Sequence, residues 1–217
     1  MHLKRVKADV LAIRVIPNVD QHLVKQFKLK RDQRSLGLLT TTIDDIGYTA
    51  VDEATKRAEV EVVYAKSFYA GAAHASGPLS GEFIGILAGP TPDEVISGLE
   101  AAQHIINHEA FFEALDEDGS HTLYAHVIAR TGRFLSKQAG IAEGEPLAYL
   151  IAPPLESMFG LDAALKAANV KLVSFFGPPS ETNYGGGLLT GSQSACRAAA
   201  DAFREAVVGI ARNPISY

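Results

Sequence analysis

One pattern of apolar and polar positions occurs twice along the chain. Residues 52–63 read DEATKRAEVEVV, and residues 162–173 read DAALKAANVKLV. In the second copy, the apolar residues that recur with the i, i+3, i+4, i+7 spacing of one helix face are Leu161, Ala164, Leu165 and Ala168. Each copy therefore predicts a short amphipathic helix, beginning near Asp52 in the first copy, that leads directly into an apolar strand. A repeat of this size predicts two similar structural units.

Other segments of the first half predict the rest of that unit. Apolar runs rich in β-branched residues predict strands at 10–16, 36–42, 60–64 and 83–87. Pro17 ends the first of these strands, because proline cannot continue a hydrogen-bonded ladder. Helices are predicted at 19–27 and 93–108, the second one starting with Pro and acidic residues. Asp44 and Asp45 are expected to begin a loop before the repeated helix.

The second half repeats this order. Strands are predicted at 123–129, 147–152 and 188–191, and an alanine-rich helix at 193–211. The three glycines 185–187 are expected to form a backbone turn before the last strand. Each half thus reads β-β-α-β-β-α, which indicates an α+β fold with helices on a small antiparallel or mixed sheet. The predicted domains are residues 1–110 and 111–217, with the boundary in the polar segment 111–120.

Composition narrows the class of protein. A chain of 217 residues is long enough for two ordinary domains. The net charge of −5 argues against general nucleic-acid binding. The single cysteine, Cys196, is typical of a reducing compartment and is expected to be a buried small hydrophobe. No apolar run has the length of a membrane helix, and Arg14 interrupts the N-terminal apolar run, so neither a membrane span nor a signal peptide is expected.

The histidines do not define a metal site. His104 and His108 have the i, i+4 spacing of a two-histidine zinc site, but Ile105 stands where such a motif has its glutamate. Two partly exposed helix histidines are the favoured interpretation, although a three-fold axis could assemble ligands from single residues. Three further histidines have no ligand spacing: His74, His121 and His126.

Two loop segments resemble binding motifs without completing them. Residues 116–119, DEDG, lack the distal glutamate of a calcium loop. The glycines 185–187 lack the Lys-Ser/Thr of a phosphate loop. Because the sequence shows no nucleophile–base pair, metal set or cofactor fingerprint, we expect neither an enzyme nor a bound cofactor.

A set of polar residues remains ambiguous on its own. It comprises Asp44, Asp45, Glu82, Thr182, Asn183 and Tyr184. Each residue singly fits a helix cap or a turn. Together, carboxylates could accept from an ammonium group, and Thr or Asn could bind a hydroxyl.

The repeated segments resemble a known family. The stretch ALKAANVKLV, followed by glycines, a short strand ending in Thr190-Gly191 and an alanine-rich helix, resembles the bacterial microcompartment shell domain. In that family the strand that corresponds to residues 10–16 stands at the C-terminal end of the domain. Here such a strand precedes each core, so both halves resemble circularly permuted domains. Two of them in one chain resemble the tandem, trimer-forming subfamily.

Within this subfamily, the stretches SFYAGAAHASGP, SETNYGGG and LTGSQSAC resemble its ethanolamine-utilisation members. The resemblance implies a non-enzymatic shell component of a cytoplasmic bacterial microcompartment. It implies a homotrimeric pseudohexameric tile that associates with other shell proteins. It also implies that ethanolamine binds in small pores. The residues that match the family's ethanolamine ligands are Asp44, Asp45, Glu82, Phe112, Thr182, Asn183 and Tyr184.

Two further expectations concern the mobility of one loop and the functions that the residues leave open. The loop 67–81 is longer than its counterpart in the second half and is rich in small residues, so we expect it to line a central opening and to change conformation. From the residues alone, two other functions stay open. One is an enzyme that acts on a small amine, with Asp45 or Glu82 as general base, and the other is a small-ligand sensor.

Overall fold

The computed structural model describes residues 3–68, 73 and 75–216. Within them, the strands are β1 Lys4–Val6, β2 Val10–Ile16, β3 Ser35–Thr41, β4 Glu61–Ser67, β5 Phe83–Gly89, β6 Phe112–Ala114, β7 Thr122–Ile128, β8 Leu147–Ala152, β9 Val170–Phe176 and β10 Gly185–Gly191. The α-helices are α1 Gln21–Gln26, α2 Asp44–Arg57, α3 Pro92–His104, α4 Arg133–Ala139, α5 Pro154–Ala167 and α6 Gln193–Arg212. A π-helical turn, Ile105–Glu109, extends α3.

The chain forms two compact units. The first, here called the N unit, comprises Lys7–Ala110 together with Gly132–Leu135. Its four strands lie in the order β2-β3-β5-β4, and every neighbouring pair is antiparallel. Helices α2 and α3 pack on each other and on β3 and β5. Apolar side chains such as Leu39, Ile46 and Leu87 fill this layer, because burying them removes their surface from water.

The second unit, here called the C unit, comprises the chain up to Val6, Phe111–Thr131 and the residues from Ser136 onward. Its strands lie in the order β1-β6-β7-β8-β10-β9, again antiparallel throughout. Helices α5 and α6 pack on each other and on β8 and β10. The core between them contains Leu150, Leu189 and Phe203. Small residues of α6, including Cys196 and Ala199, are fully buried there and allow the helix to lie close to the sheet.

The α+β class and the two-fold repeat are confirmed, but the repeated helices are longer than predicted. Helices α2 and α5 both have 14 residues, so α2 begins at Asp44 rather than near Asp52. The expectation that Asp44 and Asp45 begin a loop is wrong. They form the first turn of α2, where carboxylates are favoured by the positive end of the helix dipole.

The glycine segment also differs from its prediction. Residues Gly185, Gly186 and Gly187 are the first three residues of β10 and pair with β8, so they do not form a turn. Gly186 has φ +152°, and a Cβ there would lie 1.9 Å from the carbonyl oxygen of Leu150. The strand therefore needs glycine at this position, because its backbone approaches its neighbour too closely for a side chain.

Three elements were absent from the sequence-based prediction. They are β1, β6 and α4. Strand β6 lies inside the segment 111–120 that was expected to be a polar boundary, and β1 pairs with it in antiparallel register. Both strands have only three residues, which is too short for a periodic pattern to be visible. Among the described residues, no helix combines the length and the apolar character needed to cross a lipid bilayer.

Candidate functional site

An acidic cluster lies in the N unit at the beginning of α2. Asp44 and Asp45 are each only 7% exposed, although they occupy the first turn of a helix. The preceding residue, Ile43, has no side chain that could cap the helix. Carboxylates of the first turn therefore accept from the free amide groups: the Asp45 N–H donates to Oδ1 of Asp44 at 2.8 Å.

Hydrogen bonds connect this cluster to both ends of the loop 67–81. The hydroxyl of Ser67 donates to Oδ2 of Asp44 at 2.7 Å, and Ser67 Oγ lies 2.9 Å from the Tyr48 hydroxyl. At the other end, the Asp44 N–H donates to Oε2 of Glu82 at 3.2 Å. The Phe68 N–H donates to the carbonyl oxygen of Glu82 at 2.8 Å, which joins the two ends directly.

Gly81 determines where Glu82 lies. Its φ is +61°, and a Cβ on it would lie 2.1 Å from the carbonyl oxygen of Thr41. The next residue, Glu82, donates its N–H to that same carbonyl at 2.9 Å. The tight approach fixes the Glu82 backbone beside Thr41, and the Glu82 carboxylate accepts from the Asp44 N–H at the start of α2.

The cluster has perturbed acidities. Burial raises the pKa of Glu82 to about 7, with the Asp44 carboxylate as a second cause, while the Asp44 N–H partly offsets both. Burial also raises the pKa of Tyr48, with smaller contributions from the Ser67 hydrogen bond, which acts in the opposite direction, and from the neighbouring aspartates. Glu82 is consequently about half protonated at neutral pH and would ionise fully beside a cation.

The remaining predicted ligands lie in the C unit. The Tyr184 hydroxyl is 2.8 Å from the Thr122 hydroxyl, and the Tyr184 carbonyl accepts from the Ser180 N–H at 2.7 Å. Asn183 adopts a positive φ of 68°, which asparagine tolerates better than most residues. Thr182 is half-buried, and its hydroxyl lies 3.4 Å from that of Ser180. This turn presents hydroxyl and amide groups next to the start of β10.

Phe112 belongs to an aromatic group rather than to an open surface. Its ring is 5% exposed and stacks on Tyr124 with centroids 4.9 Å apart. Tyr184 meets the same ring edge-on, with centroids 6.1 Å apart. A contact from Phe112 to a ligand would therefore come from its main chain, because its ring is used in packing.

The histidines that the structure describes do not form a metal centre. The rings of His104 and His108 have centroids 4.9 Å apart, and Nε2 of His104 lies 3.3 Å from a Glu109 oxygen. Within the described part of the chain, no group of three His, Cys, Asp or Glu side chains could hold a metal ion. His121 lies 2.9 Å from Glu156, His126 stacks on Tyr124, and His74 lies outside the described residues.

Two other candidates have structural roles. Cys196 is fully buried in the C-unit core, as expected, and burial raises the pKa of its thiol, which makes it a poor nucleophile. Asp116, from the calcium-like segment, accepts from the Ser120 hydroxyl at 2.6 Å and from the His121 N–H at 3.0 Å. It therefore closes the hairpin between β6 and β7.

The structure thus brings Asp44, Asp45 and Glu82 together in one unit, and it brings Phe112 and Tyr184 together in the other. Sequence reasoning missed Tyr48, Ser67 and Thr122, which orient these side chains. Tyr48 lies one helical turn after Asp44, a spacing that could have identified it. Ser67 reaches the cluster through sheet pairing, since it lies opposite Phe83, the neighbour of Glu82.

Comparison with known proteins identifies the class of protein to which the chain belongs. The family model of the BMC domain matches residues 35–131, from the first residue of β3 to a point just after β7. The match leaves out β2 and ends after the equivalent strand of the second half, as circular permutation requires. The fold is that of two tandem, circularly permuted shell domains of bacterial microcompartments.

Individual relatives narrow the class further. The shell protein EutL of Clostridium perfringens is 56% identical over 98% of this chain and 98% of its own length. The crystal structure of the ethanolamine utilization protein EutL from Leptotrichia buccalis superposes with a TM-score of 0.97 at 62% identity, covering all of both chains. The structure of EtuB from Clostridium kluyveri shares the fold at 24% identity with a TM-score of 0.78 over 93% of this chain and 88% of that one. The chain belongs to the EutL family of bacterial microcompartment shell proteins.

This membership settles two of the earlier expectations. The chain is a structural component of a microcompartment shell, and it is not an enzyme. The amine-converting enzyme with Asp45 or Glu82 as general base is therefore excluded. The shell of the bacterial microcompartment is also where this protein is located.

Proposed function

We propose that the protein is a trimeric tile of an ethanolamine-utilisation shell, associated with other shell proteins, and that its small pores bind ethanolamine. The observation that carries the proposal is the acidic cluster formed by the buried Asp44 and Asp45 and the half-buried Glu82. The name of the Leptotrichia relative, an ethanolamine utilization protein, supports the choice of ligand. The two-domain repeat supports the homotrimer, because three such chains would supply the six domains of a closed ring.

The cluster suits an organic ammonium ion. Three carboxyl groups, those of Asp44, Asp45 and Glu82, lie in one hydrogen-bonded group, and the pKa of Glu82 near 7 reflects its burial first and the neighbouring Asp44 carboxylate second. An ammonium group offers three N–H donors, which match carboxylate acceptors. A cation placed here would lower the pKa of Glu82 and would be held by three acidic groups.

The hydroxyl end of ethanolamine needs a group that can both donate and accept. The proposed partners are Thr182, Asn183 and Tyr184, with the main chain of Phe112. They would distinguish ethanolamine from an alkylamine of equal length, because a buried polar group left unpaired costs about 1–3 kcal/mol.

Removing one carboxylate should weaken ethanolamine binding about 10- to 100-fold, because a charged hydrogen bond contributes about 1.5–3 kcal/mol. The change is Asp45→Ala, with Glu82→Ala as a second variant, and isothermal titration calorimetry gives the affinity. Asp93→Ala is the matched control, since Asp93 is also an acid in the first turn of an N-unit helix but is exposed. Unchanged affinity in both cluster variants, with the trimer intact, would place the binding site elsewhere.

Ethanolamine affinity should rise with pH across the range in which Glu82 ionises. Because the pKa of Glu82 is about 7, its carboxylate form increases from a minor to a major fraction between pH 6 and pH 8. The ammonium ion binds the carboxylate form of Glu82. The affinity for ethanolamine should therefore increase about tenfold between pH 6 and pH 8 and level off above pH 8. Titrations at several pH values measure this rise, and Glu82→Gln should flatten it. An equally steep rise in Glu82→Gln would contradict the assignment to Glu82.

The proposal extends to a central opening lined by the loop 67–81. Residues 69–72 and 74 of this loop lie outside the described residues, so its predicted change of conformation stays a prediction. Its described ends support a connection with the acidic cluster, since Ser67 and Glu82 both bond to Asp44. Ethanolamine would favour one loop state only to the extent that it binds that state more tightly.

A further inference from the structure

Helices α2 and α5 are repeat-equivalent, yet the same face of each meets a different environment. Aligned from their first residues, they place Thr49 with Phe159, and Asp52 with Asp162. The polar face of α2 is buried, with Thr49 5% and Asp52 0% exposed. The apolar face of α5 is open: Phe159 is 60% exposed, and two further apolar side chains at the corresponding positions are Leu155 (65%) and Met158 (43%). The polar residues of α2 are thus buried, whereas the apolar residues at the equivalent positions of α5 are exposed. This is the reverse of the usual distribution.

The segment Gly132–Leu135 covers the α2 face. Oδ2 and Oδ1 of Asp52 accept from the N–H groups of Gly132 and Leu135 at 2.7 and 2.8 Å. The Phe134 ring stacks on Tyr48 with centroids 6.2 Å apart and planes 11° from parallel. The start of α4 is therefore the natural partner of this helix face.

The repeat identifies the corresponding segment for α5. Helix α4 begins at Arg133 after β7 ends at Ile128, and α1 begins at Gln21 after β2 ends at Ile16, which is the same spacing. In this alignment His22 corresponds to Phe134, and Leu23 to Leu135. No residue of α1 is buried, and Leu23 is 39% exposed. Within one chain the start of α1 is thus as open as the α5 face.

We propose that the α5 face, formed by Leu155, Met158 and Phe159, binds the start of α1 of a second copy of the chain, with Leu23 and His22 against it. This surface supplies the contact between chains and so rests on the trimer of the proposed function. An exposed apolar patch of adjacent large side chains is typical of a protein–protein interface. Every chain carries one α5 face and one α1, so the contact is heterologous and can close into a ring.

Substitution of the exposed residues tests this contact. Phe159→Asp and Leu23→Asp should each convert the trimer to monomers at micromolar concentration, measured by sedimentation velocity. Ile215→Asp is the matched control, because Ile215 is 80% exposed and lies outside the proposed surface. It should leave the trimer unchanged. Circular dichroism should show native folding for all three variants, since none of the residues is buried.

The remaining outcomes separate this inference from the proposed trimer. If the unmodified chain is a trimer and Phe159→Asp stays one, the α5 face is not the contact and the inference is wrong, while the trimer stands. If Phe159→Asp dissociates but Leu23→Asp does not, the face binds another segment, and α1 is excluded as its partner. If the unmodified chain is a monomer, the trimer of the proposed function fails first.

Discussion

Asp52→Ala is expected to lower the free energy of unfolding of the N unit by about 3–5 kcal/mol. Asp52 is fully buried, and its carboxylate accepts from two N–H groups at the start of α4. Its pKa is raised by burial and partly restored by the bonds from Leu135 and Gly132. Alanine would leave both donors buried without an acceptor, and this adds desolvation to the lost bonds.

The repeat supplies the control for this experiment. Asp162 occupies the equivalent position in α5, but its side chain is 62% exposed and pairs with Lys166 at i+4. Asp162→Ala should therefore change stability by no more than about 0.5 kcal/mol. Urea unfolding at a fixed protein concentration measures both, and hydrogen exchange of the Gly132 and Leu135 amides locates the effect. Equal losses in the two variants would show that the capping of α4 does not account for the stability.

Gly81→Ala is expected to cost about 3 kcal/mol or more and to abolish ethanolamine binding. An alanine there combines a left-handed φ of +61° with a Cβ 2.1 Å from the Thr41 carbonyl oxygen, so the backbone of β3 or of the loop must shift. The shift moves Glu82, whose N–H bonds to that same oxygen. Thermal unfolding and calorimetric titration measure the two effects.

Gly140→Ala separates the cost of the left-handed backbone conformation from the cost of the steric clash of the added Cβ. Gly140 has nearly the same φ, +64°, but an added Cβ meets nothing within 4 Å. Its substitution should cost only the left-handed strain, about 1–2 kcal/mol, and should leave binding unchanged. If Gly81→Ala cost no more than Gly140→Ala and still bound ethanolamine, the close approach to Thr41 would not position Glu82.

The strands were predictable because their patterns are local. Residues 10–16 and 147–152 are apolar runs bounded by turn residues, and the observed strands have those bounds. The first half of α2 was missed because it contains Gly47 and residues of modest helix propensity, and because its polar residues contact distant segments: Asp44 bonds to Ser67, and Tyr48 stacks on Phe134. No local pattern reveals those contacts.

The candidate site was accessible from sequence only through family resemblance. Each of Asp44, Asp45 and Glu82 read alone as a cap or turn residue, and their meeting depends on Gly81 and on the pairing of β4 with β5. The raised pKa of Glu82 follows from burial that exists only in the folded chain. The ring of Phe112 proved to be a packing group, which a sequence motif does not distinguish from a ligand contact.

Each unit includes a short piece of chain from the other half of the sequence: β1 belongs to the C unit, and Gly132–Leu135 belongs to the N unit. A break between Ala110 and Phe111 would therefore leave one fragment without the cap for Asp52. The other fragment would have β6 as an open sheet edge, which promotes aggregation. Because each unit takes a segment from the other half of the sequence, we expect neither half to fold independently when it is expressed alone.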